Sequence, residues 1–290
     1  MKSSNFSYRR AKTLSEAFEL FDYYGDDARI LAGGQSLMPM LNMRLSSPIA
    51  LIDINQIPEL NNIEESPKGL KIGALVRHYE VENSQLVEQN LPLLYEAIPY
   101  IAHTAIRSRG TFGGSLAFAD PAAEIPAITL ALEGVIHVCS KSGNREIFAH
   151  DFFHGLYSTE LKYGEIISGV VFPKNTYTHF VFKELARRQG DYATVGVAIA
   201  AEIKDQKIIK IRIVYFGVSD RPVVDNKLSL ELMKAQFNQE NIFKVINIVA
   251  DGIDIASDIY HDSQIKRHLL TVVVKRALLD LLGKVNNASN

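Results

Sequence analysis

The 290-residue sequence contains one cysteine, Cys139. A single thiol excludes an intrachain disulfide and any iron–sulfur cluster ligated by several cysteines of this chain, and it fits a reducing compartment. A surplus of charge is also missing. Lys and Arg number 31 against 33 Asp and Glu, a formal net charge of −2, which supplies no electrostatic footprint for nucleic acid. Arg9-Arg10 and Arg187-Arg188 are isolated pairs that read as solvated charges or local ion pairs. No uninterrupted apolar run is long enough to cross a bilayer, and the first ten residues are polar and basic without an apolar core. A soluble, cytoplasmic protein with no transmembrane segment is therefore expected. Internal repeats and low-complexity stretches are absent, as are the G-x-G-x-x-G fingerprint and a phosphate loop ending in Gly-Lys-Ser/Thr.

What is present is an ordinary globular mixture, 47% hydrophobic and 22% charged, at a length that predicts about two domains. Thr13 and Glu16 have capping-box spacing, Leu14, Ala17, Phe18 and Phe21 form an apolar stripe, and Gly25 marks a stop, so a helix is expected there. Strands at Ala28 to Leu31 and Ala50 to Ile54 then enclose a glycine turn, giving a β-α-β-like opening. From Asn61 the pattern changes. Strands are expected at Asn62 to Glu65 and Leu70 to Leu75, a helical stretch through Tyr100, and further strands at Val135 to Cys139, Arg145 to Phe148 and Glu165 to Phe172. Past Pro173, Tyr177 to Leu185, Ala193 to Ile203 and Lys207 to Val218 read as an antiparallel sheet. Ile209, Ile211 and Ile213 alternate there with Lys210 and Arg212, as for a sheet with one wet face. Helices at Leu228 to Phe237, Glu240 to Ala256 and Ser263 to Leu282 close the chain, with a polar tail after Gly283 expected to fray.

Three stretches carry chemistry. The first, Ile30-Leu31-Ala32-Gly33-Gly34-Gln35-Ser36-Leu37, joins an apolar run to a helix start, where glycine N–H groups and a hydroxyl can approach an anion. By itself such a glycine pair between a strand and a helix is more often just a tight turn. The second runs Arg107-Ser108-Arg109-Gly110-Thr111-Phe112-Gly113-Gly114-Ser115-Leu116 and continues as Ala119-Asp120-Pro121-Ala122-Ala123-Glu124-Ile125-Pro126. Thr111 and Ser115 can bond phosphate oxygens there, and Asp120 or Glu124 can accept from ribose hydroxyls. Two such loops suit a dinucleotide. The third, Phe182-Lys183-Glu184-Leu185-Ala186-Arg187-Arg188-Gln189-Gly190-Asp191-Tyr192-Ala193, sets an aromatic beside charges, which is either a polar hairpin or a wall for a flavin ring. His150 and His154 have helical i, i+4 spacing but lack the Glu of H-E-x-x-H, so they read as surface histidines. Phe152, Phe153 and Tyr157 read as core or interface, and Val272 to Val274 as buried packing.

Taken together, Ala32 to Leu37, Arg109 to Ser115 with Ala119 to Glu124, and Gly190 to Ala193 resemble the FAD-binding medium subunit of the molybdenum hydroxylases, the family of carbon monoxide and xanthine dehydrogenases. The resemblance spans nearly the whole chain. It implies an α+β protein with the FAD-binding fold of the vanillyl-alcohol oxidase class. Residues 1–174 would form the FAD-binding domain, with subdomains at about 1–57 and 58–174, and residues 175–290 a C-terminal three-stranded antiparallel sheet with a helical bundle. Ala32, Gly33, Gly34, Gln35, Ser36 and Leu37, with Thr111, Gly113, Gly114 and Ser115, would then contact the pyrophosphate and ribityl atoms. Asp120 and Glu124 would supply acids near the cofactor, Ile166 or Ile167 an apolar contact, and Lys183, Asp191 and Tyr192 the surroundings of the isoalloxazine ring. Ser115 stands where many members carry Asn, a departure from the family pattern.

The implied task is electron transfer without substrate chemistry. A molybdopterin-containing large subunit would oxidise the substrate, a small subunit with [2Fe–2S] clusters would relay electrons, and this chain would pass them through FAD to an acceptor such as NAD or a quinone. Two other readings stay open at this level: a stand-alone flavin reductase or oxidase on the same fold, and a non-redox nucleotide-binding assembly module.

Overall fold

The computed structural model describes residues 2–174 and 176–288; the expected boundary at Asn175 and the final Ser289 and Asn290 lie outside the described residues. The chain opens with β1 (Ser7–Arg10), α1 (Leu14–Tyr24), β2 (Ala28–Leu31), α2 (Leu37–Asn42) and β3 (Ala50–Asp53). Thr13 caps α1 by accepting the Glu16 N–H at 3.2 Å, and Gly25 ends the helix at φ +67°, a conformation that favours glycine. The three strands form a parallel sheet in the order β1-β3-β2. Every residue of the central strand is buried, and Ala17, Phe21, Ala28 and Ile52 pack with Leu75, Cys139 and Ile166 from the next unit. The expected β-α-β opening is thus present and is sealed from outside itself.

The second unit adds β4 (Ile63–Ser66), β5 (Gly69–Gly73), α3 (His78–Glu82), α4 (Gln85–Asn90), α5 (Pro92–Ala97), α6 (Thr104–Arg107), α7 (Phe112–Phe118) and α8 (Glu124–Ala131). It closes with β6 (Val135–Ser140), β7 (Gly143–Phe148), α9 (Ala149–Phe152), β8 (Phe153–Gly155), β9 (Ser158–Thr159) and β10 (Ile166–Pro173). A five-stranded antiparallel sheet, β4-β5-β10-β6-β7, carries the helices. All eight residues of α8 are buried, Glu124 included. His150 and His154 fall on different elements, α9 and β8, so no helical pair exists.

The third unit holds β11 (His179–Leu185), β12 (Val195–Lys204), β13 (Lys207–Phe216), β14 (Val223–Val224), α10 (Asn226–Met233), α11 (Gln239–Val245) and α12 (Ser263–Ala288). Its antiparallel sheet runs β11-β12-β13-β14, the three expected strands plus a two-residue fourth. Val195, Val197, Ile199 and Ala201 face the helices of this unit, while Ala198, Ala200, Val214 and Phe216 belong to the core of the second unit. The face expected to be wet is therefore covered. Even its charged residues serve the contact: Arg212 Nε donates to the Leu130 carbonyl at 2.9 Å, and Lys210 Nζ pairs with Glu133 at 2.6 Å. The alternation also breaks once. A bulge between Glu202 and Ile203 turns Ile209 out, to 52% exposure, and buries Ile208 in its place.

Two helical expectations fail for tertiary reasons. The segment from Glu240 ends its α-helix at Val245 and, after one 3₁₀ turn at Ile246–Ile248, reverses at Ala250 with φ +56°. Buried Asp225 holds that reversal by accepting the Ala250 N–H at 2.9 Å, while it caps α10 through Leu228 N–H and receives the Tyr215 hydroxyl, both at 2.8 Å. At the other end, α12 continues past Gly283 without fraying, because Lys284 Nζ reaches Glu96 at 3.0 Å and the Phe180 carbonyl at 2.7 Å. No helix among the described residues is long and apolar enough to cross a membrane.

Asp225→Ala removes a helix cap and leaves the buried Tyr215 hydroxyl without its acceptor, so unfolding free energy should fall by about 3 kcal/mol in chemical denaturation. A loss below about 1 kcal/mol would mean that water or another group replaces the carboxylate.

Candidate functional site

The three chemical stretches meet at one cleft of about 870 Å³, where the first, second and third units adjoin. Every residue expected at the site lines it except Lys183.

The first glycine loop leaves β2 and turns at Gly34, φ +72°. Gln35 Nε2 donates back to the Gly33 carbonyl at 3.1 Å, which holds the turn. No acceptor among the described residues takes the N–H of Gly33, Gly34, Gln35 or Ser36. Four consecutive free donors beside a cleft form a concave nest suited to an anion. Gly33 also lies against the second loop: a Cβ there would sit 2.4 Å from the Arg109 carbonyl oxygen and 2.9 Å from Gly110 Cα. Only a residue without a side chain permits that approach.

In the second loop the glycines do different work from that expected. Gly113 donates its N–H to the Ala74 carbonyl at 2.8 Å, and a Cβ on it would sit 2.5 Å from Ala74 Cβ, so packing against the strand end demands glycine there. Thr111 caps α7 by accepting the Gly114 N–H at 3.3 Å. Its hydroxyl proton remains available to an acceptor in the cleft, and Ser115 lines the same wall. Ile166 and Ile167, at the start of β10, add an apolar side.

The third wall is the segment between β11 and β12. Gly190, at φ +85°, packs so closely on the Ala102 carbonyl that a Cβ would lie 2.8 Å away, and Asp191 and Tyr192 follow on the cleft rim with Tyr192 68% exposed. Lys183 is a correction. Strand alternation puts it opposite Val197 on the face that packs against α12, where its ammonium pairs with Asp280 at 2.5 Å. Its neighbours in parity, Phe182 and Glu184, point to the opposite side, toward the second unit.

The end of the cleft near this wall is acidic. Glu124 is 7% exposed, and burial, with a smaller contribution from Asp120, raises its carboxyl to about 7. Glu184 does not itself line the cleft, and burial, then the proximity of Glu124, pushes it up to about 8. Glu184 Oε2 is buried without a hydrogen-bond partner among the described residues. Asp120 is also raised by burial, against the opposing pull of its bond from the Ala122 N–H. By contrast, His78 between the loops is held neutral: burial first, then Arg107 and Arg77, lowers it to about 4.

Sequence reasoning missed His78, Ile101, Arg29 and Tyr163, all of which line the cleft. None carries a local signal, because each reaches the site only through the packing of distant elements. Among the described residues, no group of three His, Cys, Asp or Glu side chains is arranged to hold a metal ion.

Glu124 and Glu184 bind protons more tightly in the folded chain than in the unfolded one. Between the ordinary glutamate value of 4.5 and about 8, the unfolded chain has released protons that the native chain keeps, so stability falls as pH rises through that window and levels off above it. Glu184→Gln should make the decline in thermal midpoint across this range shallower; an unchanged slope would contradict the assignment.

The family described as "FAD binding domain in molybdopterin dehydrogenase" matches residues 4–175, and that described as "CO dehydrogenase flavoprotein C-terminal domain" matches residues 180–281. The glyceraldehyde dehydrogenase medium chain of Sulfolobus acidocaldarius is 34% identical over 281 residues, spanning 97% of this chain and 100% of that one. Subunit alpha of the 6-hydroxypseudooxynicotine dehydrogenase complex of Paenarthrobacter nicotinovorans is 36% identical over 286 residues, spanning 98% of this chain and 97% of that one. A chain of carbon monoxide dehydrogenase from Hydrogenophaga pseudoflava superposes with a TM-score of 0.93 at 33% identity, covering 98% of this chain and 99% of that one. With both halves matched in order and the glycine-loop cleft at their junction, the chain belongs to the FAD-binding medium subunits of the molybdenum hydroxylases.

Proposed function

We propose that the cleft is where this chain holds FAD. The pyrophosphate and neighbouring ribityl atoms would lie against Ala32–Leu37 and Thr111–Ser115, and the isoalloxazine ring toward Asp191 and Tyr192. The observation that carries this reading is convergence: residues from segments some 80 positions apart in sequence line one cavity large enough for a dinucleotide, with free backbone donors in its lining. FAD supplies a centre that takes electrons from one-electron carriers and releases them in pairs. The nest of N–H groups would neutralise the pyrophosphate, and Ile166 and Ile167 would exclude water from one side. Asp120 and Glu124 would accept hydroxyl hydrogens, with Glu124 able to serve in either protonation state near neutral pH. The matched families support a division at 1–174 and 175–290, the first part comprising subdomains of about 1–57 and 58–174.

Electrons would reach the flavin from [2Fe–2S] clusters on a partner small subunit and, before that, from a molybdopterin-containing large subunit. Cys139 is the only cysteine, it is buried, and burial raises its thiol to about 11, so this chain has no thiolates to hold a cluster. NAD or a quinone would take the electrons onward. A cytoplasmic location accords with the single reduced thiol.

The purified complex should be yellow, and its flavin should bleach when substrate is supplied to the partner subunits; stopped-flow reoxidation with NAD and with a quinone then separates the acceptors. A chain that neither copurifies with FAD nor takes it up on reconstitution would sink the proposal. Gly34→Val forces a β-branched side chain into positive φ, so bound flavin per chain should drop to near zero, and normal occupancy would count against the loop assignment. Tyr192→Ala should change the flavin potential or its reduction rate while leaving the unfolding midpoint nearly untouched, because the ring is mostly exposed. Spectroelectrochemistry and thermal melts on the same variant make the comparison.

A further inference from the structure

Between the two glycine loops, built from residues that do not line the cleft, lies a polar bridge that neither loop motif contains. Asn55 follows β3, and its Nδ2 donates to the Ala32 carbonyl at 2.8 Å and to Asp53 Oδ1 at 2.7 Å. Its Oδ1 accepts from Arg77 Nη2 at 2.6 Å. Arg77 in turn donates through Nη1 to the Arg109 carbonyl of the second loop. Asp53 is fixed by the Tyr8 hydroxyl and faces Arg10 at 3.6 Å. One asparagine and one arginine thus join a carbonyl of each loop.

The chemistry of these groups is directional. Arg77 can only donate, so its bond to Oδ1 forces the amide nitrogen of Asn55 toward Ala32, and Asp53 accepts the second hydrogen of that nitrogen. Within a trans peptide the C=O and N–H point in opposite directions. Holding the Ala32 carbonyl toward Asn55 therefore aims the Gly33 N–H away from Asn55; Gly33 lines the cleft, and no acceptor among the described residues takes that N–H. The planar fork of Arg77 spans two acceptors at once, which a lysine ammonium on a flexible stem does not reproduce.

We infer that Asn55, oriented by Arg77 and Asp53, is a positioning residue: it presets the Gly33 N–H and the spacing of the two loops for a pyrophosphate, and so governs affinity for that half of the cofactor without setting the electronic properties of the flavin half. The inference rests on the proposed placement of FAD in this cleft. It adds the source of the loop's preorganisation, which the motif alone does not contain.

The test compares three ligands on the flavin-stripped full-length chain: FAD, ADP as a pyrophosphate probe without a flavin, and riboflavin as a flavin probe without a pyrophosphate. Asn55→Leu keeps the approximate shape and removes the donors. It should weaken FAD and ADP by roughly 10- to 100-fold, the range of a lost hydrogen bond to a charged group, and change riboflavin less than twofold. Asn55→Asp keeps the acceptor for Arg77 but reverses the polarity facing Ala32, so it should show the same split even if the leucine variant folds poorly. Arg77→Lys should fall between wild type and Asn55→Leu, with shifted phosphorus NMR resonances of bound FAD and an unchanged flavin absorption spectrum. FAD and ADP affinities within twofold of wild type in both Asn55 variants would overturn the inference, as would an equal loss for riboflavin. A wild-type chain that binds neither FAD nor ADP would overturn the cleft assignment itself and this inference with it, a result separable from the first because it precedes any substitution.

Discussion

Where the two glycine loops meet, two backbones touch. Gly33 lies so close to the Arg109 carbonyl that the smallest side chain would overlap it, and Gly113 and Gly190 make comparable contacts with Ala74 and Ala102. These approaches bring a loop from the parallel sheet, a helix start from the antiparallel sheet and a hairpin from the third unit to the edges of one cavity. Glycine in such places costs backbone entropy in the unfolded chain and is tolerated where close approach requires it. The nest of N–H groups, the apolar wall and the tyrosine rim all depend on those contacts being kept.

A second constraint is that the sheet of the third unit is apolar on both faces. Val197 and Ile199 of β12 pack on its helices, while Ala198 and Ala200 pack on the helices of the second unit. The cleft rim is thereby carried on a strand pair buried from both sides. Strand parity then decides chemistry at single-residue resolution. Lys183 goes to the helical side and finds Asp280, whereas Glu184 goes to the side of the second unit, near Glu124, with its Oε2 lacking a hydrogen-bond partner among the described residues. The cleft thus carries free N–H donors on its first loop and the protonatable acids Asp120 and Glu124 elsewhere on its lining, an uneven field across the space between them.

Division of labour follows from the same inventory. A chain with one buried, high-pKa thiol holds no cluster, and the acids lining its cleft are suited to hydrogen bonding near neutral pH. On the proposed reading, such a protein would contribute binding, orientation and electrostatics, and would leave substrate chemistry and one-electron relay to companion subunits.

Much was legible in the sequence alone. The capping residues of α1, the span Ala28–Leu31, the three long strands of the third unit and the three chemical stretches are local patterns, set by periodicity and by glycine, hydroxyl and cap residues a few positions apart. The single cysteine likewise excluded, before any fold, a cluster held by several cysteines of this chain. Tertiary structure decided the rest. It cut the helix after Val245 through the bonds of Asp225, carried α12 past Gly283 through Lys284, and exchanged Ile208 for Ile209 through a bulge. It also turned Lys183 away from the cleft and brought Asn55, Arg77 and His78 between the loops. Those outcomes depend on contacts between residues tens of positions apart, whose energies outweigh local propensity and leave no trace in local spacing.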